Sequence, residues 1–407
     1  MQMVLLENKY LIKLFEERGK MKWKNKGHEF DYVGSKMGKH KKIYIYGCGK
    51  WGNELYERLQ FANCVAGFID NNIDYQKKGF KGHSVESIQS FLTDSKRDAI
   101  VVIAIEEDTY LKLQLLQAGY ELGIDLFDFE SFIHYYLPIY AMYSWDILYY
   151  YSISLTTTFV CNLKCKACLA FVPQNKHPKH MELSMLKKSI DDFFTAVDFV
   201  DFMDLAGGEP LLYPDIENLI EYVGKHYRNK IRKLYVTTNG TQLPSERLCK
   251  LMNQYNGLFN IDDYTKSISV GKSMIREFED LCQKYNCKYR INKVDKWIDL
   301  SFGRGDNSAL SEDELVAYFI ACQQEWPELY DSKIYYCDYS TYAARAGLID
   351  LYKDEAFELE KYDSQKRMEL FEYGRGYSEK GYVEMCKQCA GYLGINRNYV
   401  DVAEQIK

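Results

Sequence analysis

The chain has 407 residues, 47% of them apolar and 27% charged, with a formal net charge of −6 at pH 7. That is the composition of a soluble globular protein, and the mild acidity gives no general case for nucleic-acid binding. No run of 18 or more apolar residues is present, so neither a transmembrane helix nor a membrane partner is expected. The length suits two or three domains. The first residues lack a basic-then-apolar signal with a small-residue cleavage site, so a cytoplasmic location is expected. Twelve cysteines without an export signal then point to reduced thiols or metal ligands rather than disulfides.

Residues 1–41 open with a helical pattern and pass into a lysine-rich stretch, read as a solvated helix and linker. A separate module is expected at 42–130. Residues 43–46 form a strand that runs into Gly47-Cys48-Gly49-Lys50-Trp51-Gly52 and a helix from about Asn53. This is G-x-G-x-x-G in a strand–turn–helix setting. A second strand, 65–69, ends at Asp70, where a ribose-binding carboxylate would sit. Residues 99–105 make another buried strand. The module reads as a Rossmann-like half sheet ending near Phe129, and its segments resemble small modules beside sugar-modifying and acyl-transfer enzymes. Two readings stand. Gly47, Gly49, Gly52 and Asp70 either seat a nucleotide or nucleotide-sugar at the helix N-terminus, or the glycines only permit the turn and close packing. Residues 131–151, dense in tyrosine around Pro138, read as an interdomain connector.

The core is expected at 152–305. A β-branched strand, 153–158, leads into Cys161-Asn162-Leu163-Lys164-Cys165-Lys166-Ala167-Cys168. Three thiolates in one loop do not complete the usual four-thiolate shell. They suit a metal with an open position, a zinc loop with a distant fourth ligand, or no metal at all. Ser184 can cap a helix with Leu186, Ile190, Phe194 and Val197 inward. A short strand ends in Gly207-Gly208-Glu209-Pro210, where two glycines allow close backbone approach. After a helix bearing Ile216, Leu219, Ile220 and Val223, strand 233–236 ends in Thr237-Thr238-Asn239-Gly240. Strand and helix alternate, which implies a parallel sheet with its chemistry at the strand ends. Further on, strand 258–261 leads to Asp262-Asp263, and the run 297–300 leads to Arg304. Asp263 is a candidate for substrate hydroxyl or ribose recognition, and Arg304 for an anionic substrate group.

The cysteine loop, the GGEP segment and the TTNG segment together resemble the radical S-adenosylmethionine (SAM) superfamily. The resemblance implies a partial (β/α)6 TIM-type barrel in an α/β protein. It also implies a [4Fe-4S] cluster on Cys161, Cys165 and Cys168 whose remaining iron binds SAM. One electron then splits the sulfonium, and a 5′-deoxyadenosyl radical abstracts a substrate hydrogen. Gly207, Gly208, Glu209, Pro210, Thr238 and Asn239 would help seat SAM. An external one-electron donor, such as flavodoxin or ferredoxin, is implied as a partner. The family usually places an aromatic residue before the third cysteine; Ala167 stands there, so adenine packing must come from elsewhere.

In the C-terminal Cys-rich lobe, 306–407, Cys322, Cys337, Cys386 and Cys389 could close a four-thiolate shell for zinc or an iron–sulfur cluster. Beside a radical SAM core they resemble the twitch form of the SPASM domain, implying a second [4Fe-4S] cluster. Ser332 stands where that pattern usually has glycine. The expected activity is hydrogen abstraction from a small-molecule substrate, with oxidation or epimerisation of a sugar-like alcohol one form of it. Peptide modification, an NAD-dependent oxidoreductase with structural zinc, and a non-catalytic metal scaffold are the alternatives.

Overall fold

The computed structural model describes residues 21–93, 98–106, 109–268, 272–324 and 326–406. The helical pattern read at residues 1–20 lies outside them. The chain falls into two compact units.

The smaller unit holds His28–Tyr151 and Val197–Asp201. Its sheet is built from β1 (Ile43–Tyr46), β2 (Val65–Ile69), β3 (Val85–Glu86), β4 (Ile100–Ile103) and β5 (Leu126–Asp128). The order is β3-β2-β1-β4-β5, and every pairing is parallel. All four residues of β4 are buried, as expected of a parallel strand covered on both faces, which reads as an unbroken apolar run. Residues 131–151 belong to this unit. Helix Leu137–Trp145 buries Leu137, Ile139 and Tyr140 completely, so the expected connector is part of a core. Residues 197–201 are held in this unit too, where Arg58 donates to the buried carboxylate of Asp201.

The larger unit is organised by an eight-stranded sheet. Its first five strands are β6 (Tyr149–Thr158), β7 (Phe199–Gly207), β8 (Ile231–Thr238), β9 (Leu258–Asp263) and β10 (Lys288–Lys293). Helices Leu183–Ala196, Ile216–Tyr227, Glu246–Gln254 and Lys272–Lys284 lie between them in sequence. Each carries an apolar stripe at helical spacing; in the second it is Ile216, Leu219, Ile220 and Val223, all buried. Ser245 caps its helix through Leu248 N–H. Ser184 falls inside the first turn of a helix that begins at Leu183, so it is not the cap. Strands β8, β9 and β10 pair in parallel.

The run read at 297–300 does not join this sheet. Instead β11 (Lys296–Ile298) leaves the sheet and pairs antiparallel with β15 (Tyr399–Asp401). The place beside β6 goes to β12 (Glu328–Tyr330), which runs parallel to it. Strands β13 (Lys333–Tyr335) and β14 (Ala356–Glu358) then extend the sheet antiparallel. The C-terminal residues therefore continue the same sheet. Among the described residues, no helix is long and apolar enough to cross a membrane.

Candidate metal centre and active site

Strand β6 ends at Thr158, and the cysteine loop follows at once. The three thiols are free and close enough to oppose one another's ionisation. Burial pushes Cys161 up to about 11, with Glu209 and Cys168 adding to the rise. Burial pushes Cys165 to about 12, reinforced by Cys168 and Cys161. Cys168 is raised by burial as well. A bound metal would deprotonate such thiols outright. Two sulfurs already accept hydrogen bonds. Cys161 Sγ takes Leu163 N–H at 3.4 Å and Asn239 Nδ2 at 3.7 Å. Cys165 Sγ takes Gln405 Nε2 at 3.2 Å.

The glycines that end β7 have a steric reason. Gly207 sits at φ +133°, and a Cβ there would stand 2.3 Å from the Thr158 carbonyl oxygen. On Gly208 it would stand 2.4 Å from that of Val160. Only glycine lets the backbone come this near the start of the cysteine loop, where Gly208 N–H donates to Thr158 O and Glu209 N–H to Val160 O. Glu209 then locks the neighbouring strand end. It is fully buried and accepts three hydrogen bonds, from Leu211 N–H and Thr238 Oγ1 at one oxygen and from Asn239 N–H at the other. Burial raises its pKa to about 7 against the pull of those donors. Asn239 turns its side chain to the loop, donating to Asn162 Oδ1 at 3.1 Å as well as to Cys161. Pro210 follows, buried at the start of a short 3₁₀ turn. The expected loop, GGEP and TTNG residues thus form one interlocked structure at the ends of β6, β7 and β8.

Below it, a rung of polar side chains crosses the sheet. Thr237 on β8 lies opposite Asn260 on β9, which lies opposite Arg290 on β10. Arg290 donates through Nε and Nη2 to Asn260 Oδ1 at 3.0 and 2.7 Å. Asn260 Nδ2 donates to Thr237 Oγ1, and the Thr237 hydroxyl reaches Asp204 on β7 at 2.8 Å. Burial raises Asp204 to about 6, although Thr237 and Arg290 pull it down. Two residues further along the same face, Asn292 joins Asn260 to Asp262, which also accepts from Tyr264. Sequence reading missed this rung. Its trace was the alternation of Asn260 and Asp262 with Phe259 and Ile261 in one strand, and the acid Asp204 between Met203 and Leu205 in another.

Asp263 is placed differently from the expectation. Successive residues of a strand face opposite ways, so Asp262 joins the rung while Asp263 accepts from Thr265 N–H and caps a turn. Arg304 is ion-paired at 2.8 Å with Asp299, a carboxylate only 2% exposed.

The four C-terminal cysteines are drawn together by separate elements. Cys322 ends helix Glu312–Cys322, Cys337 precedes helix Asp338–Arg345, and Cys386 lies in a 3₁₀ turn just before Cys389. Burial raises all four thiols; Cys322 and Cys386 add to the rise at Cys337, and Cys389 and Cys322 to that at Cys386. Asn307 fixes the C-x-x-C turn by donating to the Cys386 and Cys389 carbonyls at 2.8 and 2.9 Å. Among the described residues, no three His, Cys, Asp or Glu side chains close on one point tightly enough for a single metal ion. The donor sets still fit clusters, because the thiolates of a [4Fe-4S] group bind separate irons. The aromatic rings of Phe171, just past Cys168, and Tyr339, just past Cys337, lie 4.9 Å apart.

In the smaller unit, Gly47 has φ +112° at the tight turn. A Cβ on Gly52 would stand 1.9 Å from Gly47 O, whereas one on Gly49 would meet nothing within 4 Å. Asp70 accepts from Cys48 N–H at 2.9 Å and Asn72 N–H at 2.8 Å.

Residues 155–277 match the Radical SAM superfamily model. An S-adenosylmethionine-dependent nucleotide dehydratase of Selenomonas ruminantium is 32% identical over 98 residues, 24% of this chain and 33% of that protein. A GTP 3′,8-cyclase of Pasteurella multocida (strain Pm70) is 27% identical over 99 residues, 24% of this chain and 28% of that one. The chain thus spans a third or less of the length of these curated relatives. Among solved structures, BtrN in complex with AdoMet and 2-DOIA aligns at 13% identity with a TM-score of 0.37, over 59% of this chain and 92% of that one. Native anSMEcpe with bound AdoMet and Kp18Cys peptide aligns at 16% with a TM-score of 0.38, over 60% and 93%.

Proposed function

We propose that the protein is a radical SAM enzyme acting on a small, polar, hydroxyl-bearing substrate. The observation that carries this is the interlock of the three-cysteine loop with the ends of β7 and β8. Cys161, Cys165 and Cys168 hold a [4Fe-4S] cluster, and the backbone of residues 207–210 with Thr238 and Asn239 seats SAM beside it. A bound cluster and SAM would supply the one-electron chemistry for hydrogen abstraction from the substrate. The chain's own contribution is placement. Glu209 keeps the two strand ends in register, and Asn239 ties the second of them to the loop.

The substrate-facing role goes to Asp204, Asp262 and Arg290 rather than Asp263 and Arg304, which cap a turn and pair with a buried acid. A rung holding acid, hydroxyl, amide and guanidinium suits hydroxyl recognition better than apolar contact. Cys322, Cys337, Cys386 and Cys389 would hold a second [4Fe-4S] cluster, which would take an electron from a substrate radical in an oxidation or anchor the substrate. The electron donor is an external flavodoxin- or ferredoxin-like protein, and the setting is cytoplasmic. The smaller unit is a Rossmann-like module. Its glycines divide as a nucleotide site requires: Gly47 for the turn, Gly52 for packing, and Gly49 opening the backbone to a phosphate. Asp70 braces that turn, which weakens an NAD-dependent hydride-transfer reading.

Cys165→Ala tests the assignment. Under reducing, iron-loaded conditions it should form no 5′-deoxyadenosine while keeping about four irons per chain in the C-terminal site. Continued 5′-deoxyadenosine formation by this variant would refute the loop's role.

A further inference from the structure

The side of the cysteine loop is covered by the chain's own residues 402–406. After β15, Ala403 takes a left-handed conformation, φ +50°, and turns the chain along the loop. Lys166 N–H donates to Glu404 O at 2.7 Å, and Ile406 N–H to Lys164 O at 2.8 Å. Cys165 and Gln405 face each other in an antiparallel bridge. Val402 and Ala403, both without exposure, pack with Cys165 against Leu163, Cys168, Tyr264 and Trp297. The Gln405 amide orientation follows from its partners. Its oxygen accepts from Lys164 N–H at 2.7 Å, while its nitrogen reaches two acceptors, Ala403 O at 2.7 Å and Cys165 Sγ at 3.2 Å. A flipped amide would set donor against donor and acceptor against acceptor.

We propose that Gln405 is a positioning residue that sets the reduction potential of the SAM-binding cluster through its N–H···S bond to Cys165. This rests on the cluster assignment above. A donor aimed at a ligating thiolate stabilises the extra negative charge of the reduced cluster and so raises its potential. The strap also joins two distant parts of the chain. The loop depends on β15 and β11 for the alignment of that donor.

The test is an anaerobic redox titration of the full, iron-loaded protein. It follows the EPR signal of whichever cluster changes on adding SAM. Gln405→Met keeps the length of the side chain and removes the donor. Its midpoint should move to lower potential, with iron content and far-UV circular dichroism unchanged. An unmoved midpoint would overturn the proposal. A second measurement leaves the protein unmutated: with ¹⁵N-side-chain-labelled glutamine, pulsed EPR should detect a nitrogen coupling to the SAM-responsive cluster. Its absence would also overturn the proposal, even if the variant failed to load iron. A wild-type protein with no SAM-responsive signal would instead remove the cluster assignment, and the proposal with it.

Discussion

At the scale of single residues, Glu209 shows why chemistry at a strand end is also structure. Its three donors all point at a group that must only accept. Glutamine is nearly isosteric but brings an amide with two donors, so at least one backbone N–H or the Thr238 hydroxyl loses its partner. Glu209→Gln should therefore destabilise the protein by roughly 1–3 kcal/mol, the cost of a buried polar group left unpaired. Denaturant unfolding of the metal-free protein checks this. Asp204 carries a different expectation. Burial raises its folded pKa to about 6, above the unfolded carboxylate range of about 3.9. Its contribution to stability is thus fully present below the unfolded value and is lost as pH rises through about 6. The stability difference between wild type and Asp204→Asn should shrink as pH goes from about 4 to above 6. A difference that stays constant would mean Asp204 titrates normally.

At the scale of elements, the close approach of β7 to β6 depends on glycine. Gly207→Ala adds a Cβ 2.3 Å from a backbone oxygen at a left-handed φ, where nothing flexible can move aside. The strain alone is worth about 1–3 kcal/mol. Loss of SAM binding, measured by equilibrium dialysis on the iron-loaded protein, is the expected result. Much of this level was legible in the sequence. The loop, the GGEP and TTNG ends and the helices between them are local patterns, and local spacing fixes what can share a strand end. Pairing between distant strands leaves no such mark. Nothing in Glu328–Tyr330 says it will lie beside β6, and nothing in Gln405 says it will meet Cys165. The choice of Asp262 over Asp263 depended on where β9 stops. The strand runs through both residues, so they face opposite ways.

At the scale of the whole molecule, the two cysteine sets rest on different scaffolding. The first is local and needs one loop. The second gathers Cys322, Cys337, Cys386 and Cys389 from elements up to 67 positions apart (389 − 322), so it forms only when the C-terminal residues have folded. Loss of the second set should leave SAM cleavage standing. Cys386→Ala with Cys389→Ala should lower iron from about eight to about four per chain and still yield 5′-deoxyadenosine. The most direct test of the whole account uses the unaltered protein. Purified anaerobically and loaded with iron and sulfide, then reduced in the presence of SAM, it should carry about eight irons per chain and release 5′-deoxyadenosine, read by mass spectrometry. Bound zinc without iron, together with intact SAM, would contradict it.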